Sequence, residues 1–425
     1  MSLQAVRNGR MAQTSGWWWG AGWDSVSHHY GFPMTIHDPK LPTAGQGSAL
    51  PQAIAAATAS TLPRDTTGFR SSGQSPGHFP GQSPGQSVAD PASDGSPPPL
   101  TLHLVGAGQV GRCFLHQLAG LPVRLVACSD RTATIYDRVG LPAAAIAAHK
   151  ANGAALASWP GAECIPTELA IGVVQADITV DATPSAPADT AAAVARGAAA
   201  LRAGSRLLLC GKNAVAAASH EWLLGSGRGR VGIAAVLGGT GQQLLRELDE
   251  LRAGCHSVAL VGNVTTTAIV SLLEQGHDLT AGLAAARAAG LLETDPTLDL
   301  DGSDAATKLA IVAGAVFGDC WRRPPLLADI ARQDLRDLDA GLLRRRAANG
   351  KTTRLIARAA RDGELRVAYE ELPLGSPLAA PADRVVYTYE LPAGLRLHNG
   401  LGVGYERTAA ALLADLQAVL AEVRS

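Results

Sequence analysis

Charge is what this sequence has least of: Asp, Glu, Lys and Arg make up 17% of its 425 residues, and the net charge is −1. No basic surface able to neutralise a phosphate backbone is implied, so no nucleic-acid partner is expected and the partner to look for is a small molecule. Cysteine is sparse as well. The six (Cys113, Cys128, Cys164, Cys210, Cys255 and Cys320) lie far apart without a Cys-x-x-Cys pair. That excludes a disulfide framework and suits a reducing, cytoplasmic compartment. No apolar run approaches the roughly eighteen residues that a membrane span needs, so no membrane partner is expected. Glutamate is missing altogether from residues 1–99, which are rich in Gly, Pro and Ser and repeat Gly73-Gln-Ser-Pro-Gly77 as Gly81-Gln-Ser-Pro-Gly85. Such a stretch buries too little apolar area to offset its ordering entropy, and a disordered extension is expected there, ending at Pro97-Pro98-Pro99.

From Leu100 the texture is that of an α/β enzyme. Strands are expected at residues 100–105, 124–129, 178–182, 206–209 and 231–236, with Ala-rich helical stretches between them. That alternation predicts a parallel, doubly wound sheet. Beyond residue 241 the pattern becomes α+β: helices at 242–251, 265–275, 279–289 and from Ser303 on, strands at 257–262, 354–358, 365–369 and 385–390, and a closing helix at 408–423. The expected domains are 1–99, an extension; 100–240, a nucleotide domain completed by 395–425; and 241–394, a second domain.

Two groups of residues carry chemistry. Gly106-Ala-Gly108-Gln109-Val110-Gly111 follows a strand and opens a helix, the setting in which three glycines give a tight turn, close backbone approach to a pyrophosphate and close helix packing. The next strand ends in Asp130-Arg131. The first would hold a bare ribose hydroxyl, the second would neutralise a 2′-phosphate, and the balance leans slightly to NADP over NAD. The second group runs from Glu293 through Asp295, Asp299, Asp301 and Asp304 to Lys308. With Ser303 as N-cap, Asp304 and Lys308 stand four apart on one helical face whose neighbours are apolar, so the pair points into a cleft. A lysine beside a carboxylate can protonate a developing alkoxide and stabilise it. Lys308 is the first candidate, and Lys212, just after the buried strand at 206–209, is the second.

At Gly106–Gly111, Val180-Asp-Ala-Thr183, Gly211-Lys212, Asn263-Val-Thr265, the block from Gly290 to Lys308, and Gly400-Leu-Gly402-Val-Gly404, residues 100–425 resemble the homoserine dehydrogenase family, including the dehydrogenase half of bifunctional aspartokinase fusions. The resemblance implies a Rossmann domain joined to a catalytic and dimerisation domain, and a homodimer built from the second sheet. It implies NAD(P)H-dependent reduction of L-aspartate 4-semialdehyde to L-homoserine, on the route to threonine and methionine. By the same likeness Lys308 is the proton donor, Lys212 a second polarising cation, and Glu293 the holder of the substrate amino group. Asp304 orients substrate and lysine, with Asp299 and Thr265 also on the substrate side. Thr183, Gly290 and Gly402 line the cofactor with the first glycine turn. A sodium-like ion is implied on the backbone of Leu237, Gly239 and Gly241.

The sequence departs from that pattern at Ala234, where an acidic residue is usual, and at Gln242, Val264, Ala268 and Gly211. These changes leave open a non-catalytic dinucleotide-binding relative, or a dehydrogenase of another amino aldehyde. A thiolate-dependent dehydrogenase is disfavoured because no cysteine has a suitable histidine partner in view.

Overall fold

The protein is described from a computed structural model, which covers residues 98–161, 165–292, 296–321, 323–402 and 404–424. The extension expected over 1–99 therefore lies, apart from its last two prolines, outside the described residues.

Two six-stranded sheets divide the chain. The first has the order β3-β2-β1-β4-β5-β6 and consists of β1 (Leu100–Val105), β2 (Val123–Ser129), β3 (Thr134–Tyr136), β4 (Ile178–Asp181), β5 (Arg206–Leu209) and β6 (Val231–Gly232). All neighbours are parallel except β3, which pairs antiparallel with β2. Strands buried on both faces need near-continuous apolar sequence, and Leu102, Leu104, Ile178, Val180, Leu207 and Leu208 are each at most 1% exposed. Chain order reverses between β1 and β4, which opens a crevice at their C-terminal ends. The helix α1 (Gln109–Gln117) leaves that crevice and packs against the closing helix. Leu412, Leu416 and Leu420 of that closing helix recur at four-residue spacing and join Leu102, Leu104, Phe114 and Leu115 in one core.

The second sheet, β12-β11-β7-β9-β10-β8, is antiparallel except between β10 and β8. It is built from β7 (Ser257–Val261), β8 (Ala331–Arg332), β9 (Lys351–Ala360), β10 (Leu365–Pro373), β11 (Arg384–Leu391) and β12 (Gly394–Leu401). Helices α2 (Val264–Glu274) and α3 (Ser303–Phe317) lie on it. Every residue of α3 is buried except Lys308. A helix apolar on all sides is an interior helix, so the one ammonium on it enters the protein body instead of facing bulk water.

Several expectations are corrected. Residues 231–236 form two residues of strand and then a short 3₁₀ turn at Ala235–Leu237, because Gly238 and Gly239 at φ 63° and 90° reverse the chain. The helix expected at 242–251 breaks at Glu247 into Gly241–Arg246 and Leu248–Gly254. Ser303 is not the cap: Gly302 at φ 77° precedes the helix, and the Asp301 carboxylate accepts the Ser303 N–H at 2.8 Å. Residues 395–401, expected to complete the nucleotide domain, pair instead with β11 in the second sheet, and only the closing helix, α4 (Tyr405–Arg424), returns.

Candidate active site

The glycine turn has the shape its spacing implies. Gly106 has φ 99°, and a Cβ there would lie 2.7 Å from the Ala182 carbonyl carbon; one on Gly111 would lie 2.0 Å from the Gly106 oxygen. Only glycine lets β1, β4 and α1 converge so closely. Around Gly108, the N-cap of α1, a Cβ would meet nothing within 4 Å, so the helix N-terminus is open beside exposed Gln109 and half-buried Val110. Such a terminus suits a pyrophosphate. These are features of a dinucleotide cradle, and a nicotinamide dinucleotide fits them. Across the crevice, Thr183 is oriented by Asp181, which accepts its N–H at 3.0 Å and its hydroxyl at 2.5 Å, while Arg196 bridges both residues.

At the tip of β2, the Asp130 carboxylate turns into its own loop. It accepts Lys150 Nζ at 2.5 Å, the Leu156 N–H at 3.0 Å and both the N–H and hydroxyl of Thr132. Burial works against its charge, but Lys150 and Thr132 outweigh that and hold its carboxyl well below the usual range. With its acceptor sites taken, it is not free for a ribose hydroxyl. Arg131 is exposed beside it.

The catalytic candidates converge where the two sheets' C-terminal loops meet. Lys212 is the first residue of the helix Lys212–Ser219 after β5, and its ammonium lies 2.6 Å from Asp304 Oδ1. Lys308, one turn along α3, lies 2.9 Å from Asp304 Oδ2 and donates to the Gly262 carbonyl at 2.5 Å. Asp304 is thus a buried carboxylate held between two lysines. Burial alone would raise its carboxyl; the ammonium groups of Lys308 and Lys212 win and hold it well below the normal range. Asp299 behaves in the opposite way, pushed up by burial and by the Asp304 charge. The two lysines remain 15% and 28% exposed, enough for a substrate to reach them.

The other expected residues are placed as follows. Thr265 is buried, and its hydroxyl donates to the Leu291 carbonyl at 2.9 Å, which ties down the loop leading to the acidic block. Glu293 lies outside the described residues. Gly402 packs close to Val264 and Val385, either of which a Cβ would meet at 2.7 Å. Gly290 has φ 68°, is exposed, and closes the turn after the helix Leu279–Ala288. In the Leu237–Gly241 loop the Leu237 carbonyl accepts the Thr240 hydroxyl at 2.8 Å, the Ala234 carbonyl accepts the Gly239 N–H at 2.7 Å, and position 234 brings no carboxylate. No metal-binding group of three or more His, Cys, Asp or Glu occurs among the described residues.

Sequence reasoning missed Asn263, whose amide reaches both Asp299 and Asp304, and Tyr387, whose buried ring lies against Gly262. Asn263 follows a buried strand and opens a helix, so capping rules would have found it; its second use needs the fold.

A glycine cradle at a topological switch point that faces lysine-held carboxylates defines an NAD(P)-dependent oxidoreductase of the α/β type. Residues 243–417 match the family model described as homoserine dehydrogenase. An NAD(+)-dependent homoserine dehydrogenase of Pseudomonas canavaninivorans is 26% identical over 340 residues, 74% of this chain and 94% of that one. The homoserine dehydrogenase of Mycobacterium leprae is 30% identical over 233 residues, 51% of this chain and about half of its own length (52%). Among solved structures, a hyperthermophilic archaeal homoserine dehydrogenase in complex with NADPH has a TM-score of 0.62 at 21% identity, covering 76% of this chain and 98% of that one. By sequence the chain is similar to homoserine dehydrogenases, and the family model matches within its second half. No helix among the described residues is long and apolar enough to cross a membrane.

Proposed function

We propose that the chain reduces L-aspartate 4-semialdehyde to L-homoserine at the Lys212–Asp304–Lys308 cluster, with residues 100–240 and the closing helix holding the cofactor and residues 241–394 holding the substrate. Bound reduced nicotinamide supplies the hydride. Lys308 donates a proton from Nζ to the carbonyl oxygen as that oxygen gains charge, and recovers it from solvent. Asp304 keeps Lys308 and Lys212 aimed at that oxygen, and Lys212 adds a second positive charge beside it. Asp299 and Thr265 stand on the substrate side, and the substrate ammonium is assigned to the carboxylates of Asp299 and, by the family resemblance, Glu293. The observation that carries this reading is the pair of lysines sharing one buried carboxylate, 2.6 and 2.9 Å away, at the seam where the cofactor turn and the substrate loops come together.

Asp130 is engaged inward and Arg131 is exposed, which favours a 2′-phosphate and hence NADPH over NADH. The outer face of the edge strand β12 presents Leu395, Leu397 and Leu401, between 41% and 55% exposed, and supports a homodimer through that sheet. A cytoplasmic setting is consistent with the free thiols of Cys113, Cys128, Cys210, Cys255 and Cys320.

The test is spectrophotometric. Homoserine oxidation is followed at 340 nm with each coenzyme. Turnover with a higher kcat/KM for NADP is expected; protein that binds NADPH and turns over neither homoserine nor the semialdehyde would overturn the proposal. Light scattering on the same sample should give twice the chain mass.

A further inference from the structure

Asn263 uses one amide for two purposes. Its Oδ1 accepts the Thr266 N–H at 2.8 Å and caps α2. A backbone N–H can only donate, so the oxygen must face the helix and Nδ2 must face away. Nδ2 then donates to Asp299 Oδ1 at 2.8 Å and to Asp304 Oδ2 at 3.0 Å. The residue is 5% exposed, so little water competes for these contacts. Both amide hydrogens are spent on two carboxylates that repel each other across a buried space. One carboxylate stands on the substrate side, and the other carries the proton-donating lysine.

We propose that Asn263 is a positioning residue that couples the substrate-side carboxylate Asp299 to the Asp304–Lys308 proton donor, by clamping the two acids at a fixed separation through a single amide. This rests on the roles given above to Asp299 and Lys308. Loss of the amide removes a hydrogen bond that favours the ionised form of Asp299, so more of it is protonated at a given pH and it binds an ammonium less well. Asp304 loses one of its restraints in the same step, and Lys308 with it.

Two substitutions separate this role from the cap. Serine and aspartate both retain a capping acceptor, while neither supplies the two amide hydrogens. N263S is expected to raise the KM for homoserine about tenfold, to lower kcat about threefold to tenfold, and to leave the Kd for NADPH unchanged. It should also move the acidic limb of the kcat/KM profile to higher pH. N263D sets a third carboxylate against the other two and should lose more. In a D299N background, N263S should no longer change the KM.

A uniform fall in kcat/KM with an unmoved acidic limb, or an N263S effect on KM that survives in the D299N background, would reduce Asn263 to a helix cap and overturn the proposal. If N263S fails to fold, N263T, which keeps a capping hydroxyl and adds no charge, carries the same comparison. D299N with an unaltered KM for homoserine would instead overturn the assignment of Asp299 beneath it.

Discussion

Two aspartates are paired with lysine, Asp130 at the tip of β2 and Asp304 on α3, and the two pairs have opposite fates. At the tip of β2, Asp130 and Lys150 are 2.5 Å apart and the remaining carboxylate sites are filled by loop N–H groups, so the pair is spent on holding its own loop. At the start of α3, Asp304 is as deeply engaged, but its partners are side chains: two lysines and one amide. The ammonium groups keep part of their surface open and can meet a substrate. Lys150 and Lys308 are about equally exposed, 16% and 15%, so the pairs differ in what closes the carboxylate: loop N–H groups at Asp130, side chains at Asp304. The nucleotide side of the molecule acts through backbone shape and the other side through side-chain charge.

That contrast can be broken most forcefully at Lys308. Lys308→Ala should lower kcat by roughly two to four decades, about 3–5 kcal/mol of barrier, with NADPH affinity unchanged by fluorescence titration. Unchanged turnover would remove this side chain from the mechanism. On the nucleotide side the matching lesion is Gly106→Ala. A methyl at φ 99°, 2.7 Å from main chain that cannot swing aside, should cost on the order of 2–4 kcal/mol, read as lost cofactor affinity or a lowered Tm.

A smaller effect sharpens the link between the regions. Asp415 of α4 accepts the Ala234 N–H at 2.8 Å, and burial, partly offset by that hydrogen bond, pushes its carboxyl up to about 7. Its unfolded value is lower, so between about pH 4 and 7 the folded chain holds a proton that the unfolded chain has released. The stability this provides is present at low pH and lost as pH rises through the folded value. Asp415→Asn should therefore match the parent below about pH 4 and gain on it as pH rises to 8, by on the order of 1–3 kcal/mol or more in denaturant melts. Equal pH dependence in the two proteins would show the carboxylate to be solvated. The smallest effect is expected at Tyr387, whose buried hydroxyl reaches the Thr240 side chain without well-formed hydrogen-bond geometry. Tyr387→Phe should be neutral or stabilising within about 1 kcal/mol, and a loss beyond about 2 kcal/mol would reveal a partner for that hydroxyl.

Backbone-driven features were the most legible. The turn from Gly106 to Gly111 is local, and its strand, glycines and helix lie within a dozen residues, so spacing alone indicated its shape. The expected strands at 206–209 and 257–262 differ from β5 and β7 by at most one residue, because continuous apolar runs of that length have few other uses. Legibility failed where glycines with positive φ cut a strand short after Gly232, and where β12 followed β11 through a tight turn that polar alternation alone disguised.

The sequence by itself determined the class of the nucleotide half and the pairing of Asp304 with Lys308, since both follow from short-range geometry: one turn of chain and one turn of helix. Only the tertiary structure decided that Lys212, from a loop nearly a hundred residues earlier, shares the same carboxylate, that Asn263 bridges it to Asp299, and that Asp130 faces inward. The reason is physical. Spacing along the chain fixes which side chains share an element, whereas the packing of two separate sheets fixes which buried charges must find one another, and a buried charge takes whatever partner that packing supplies.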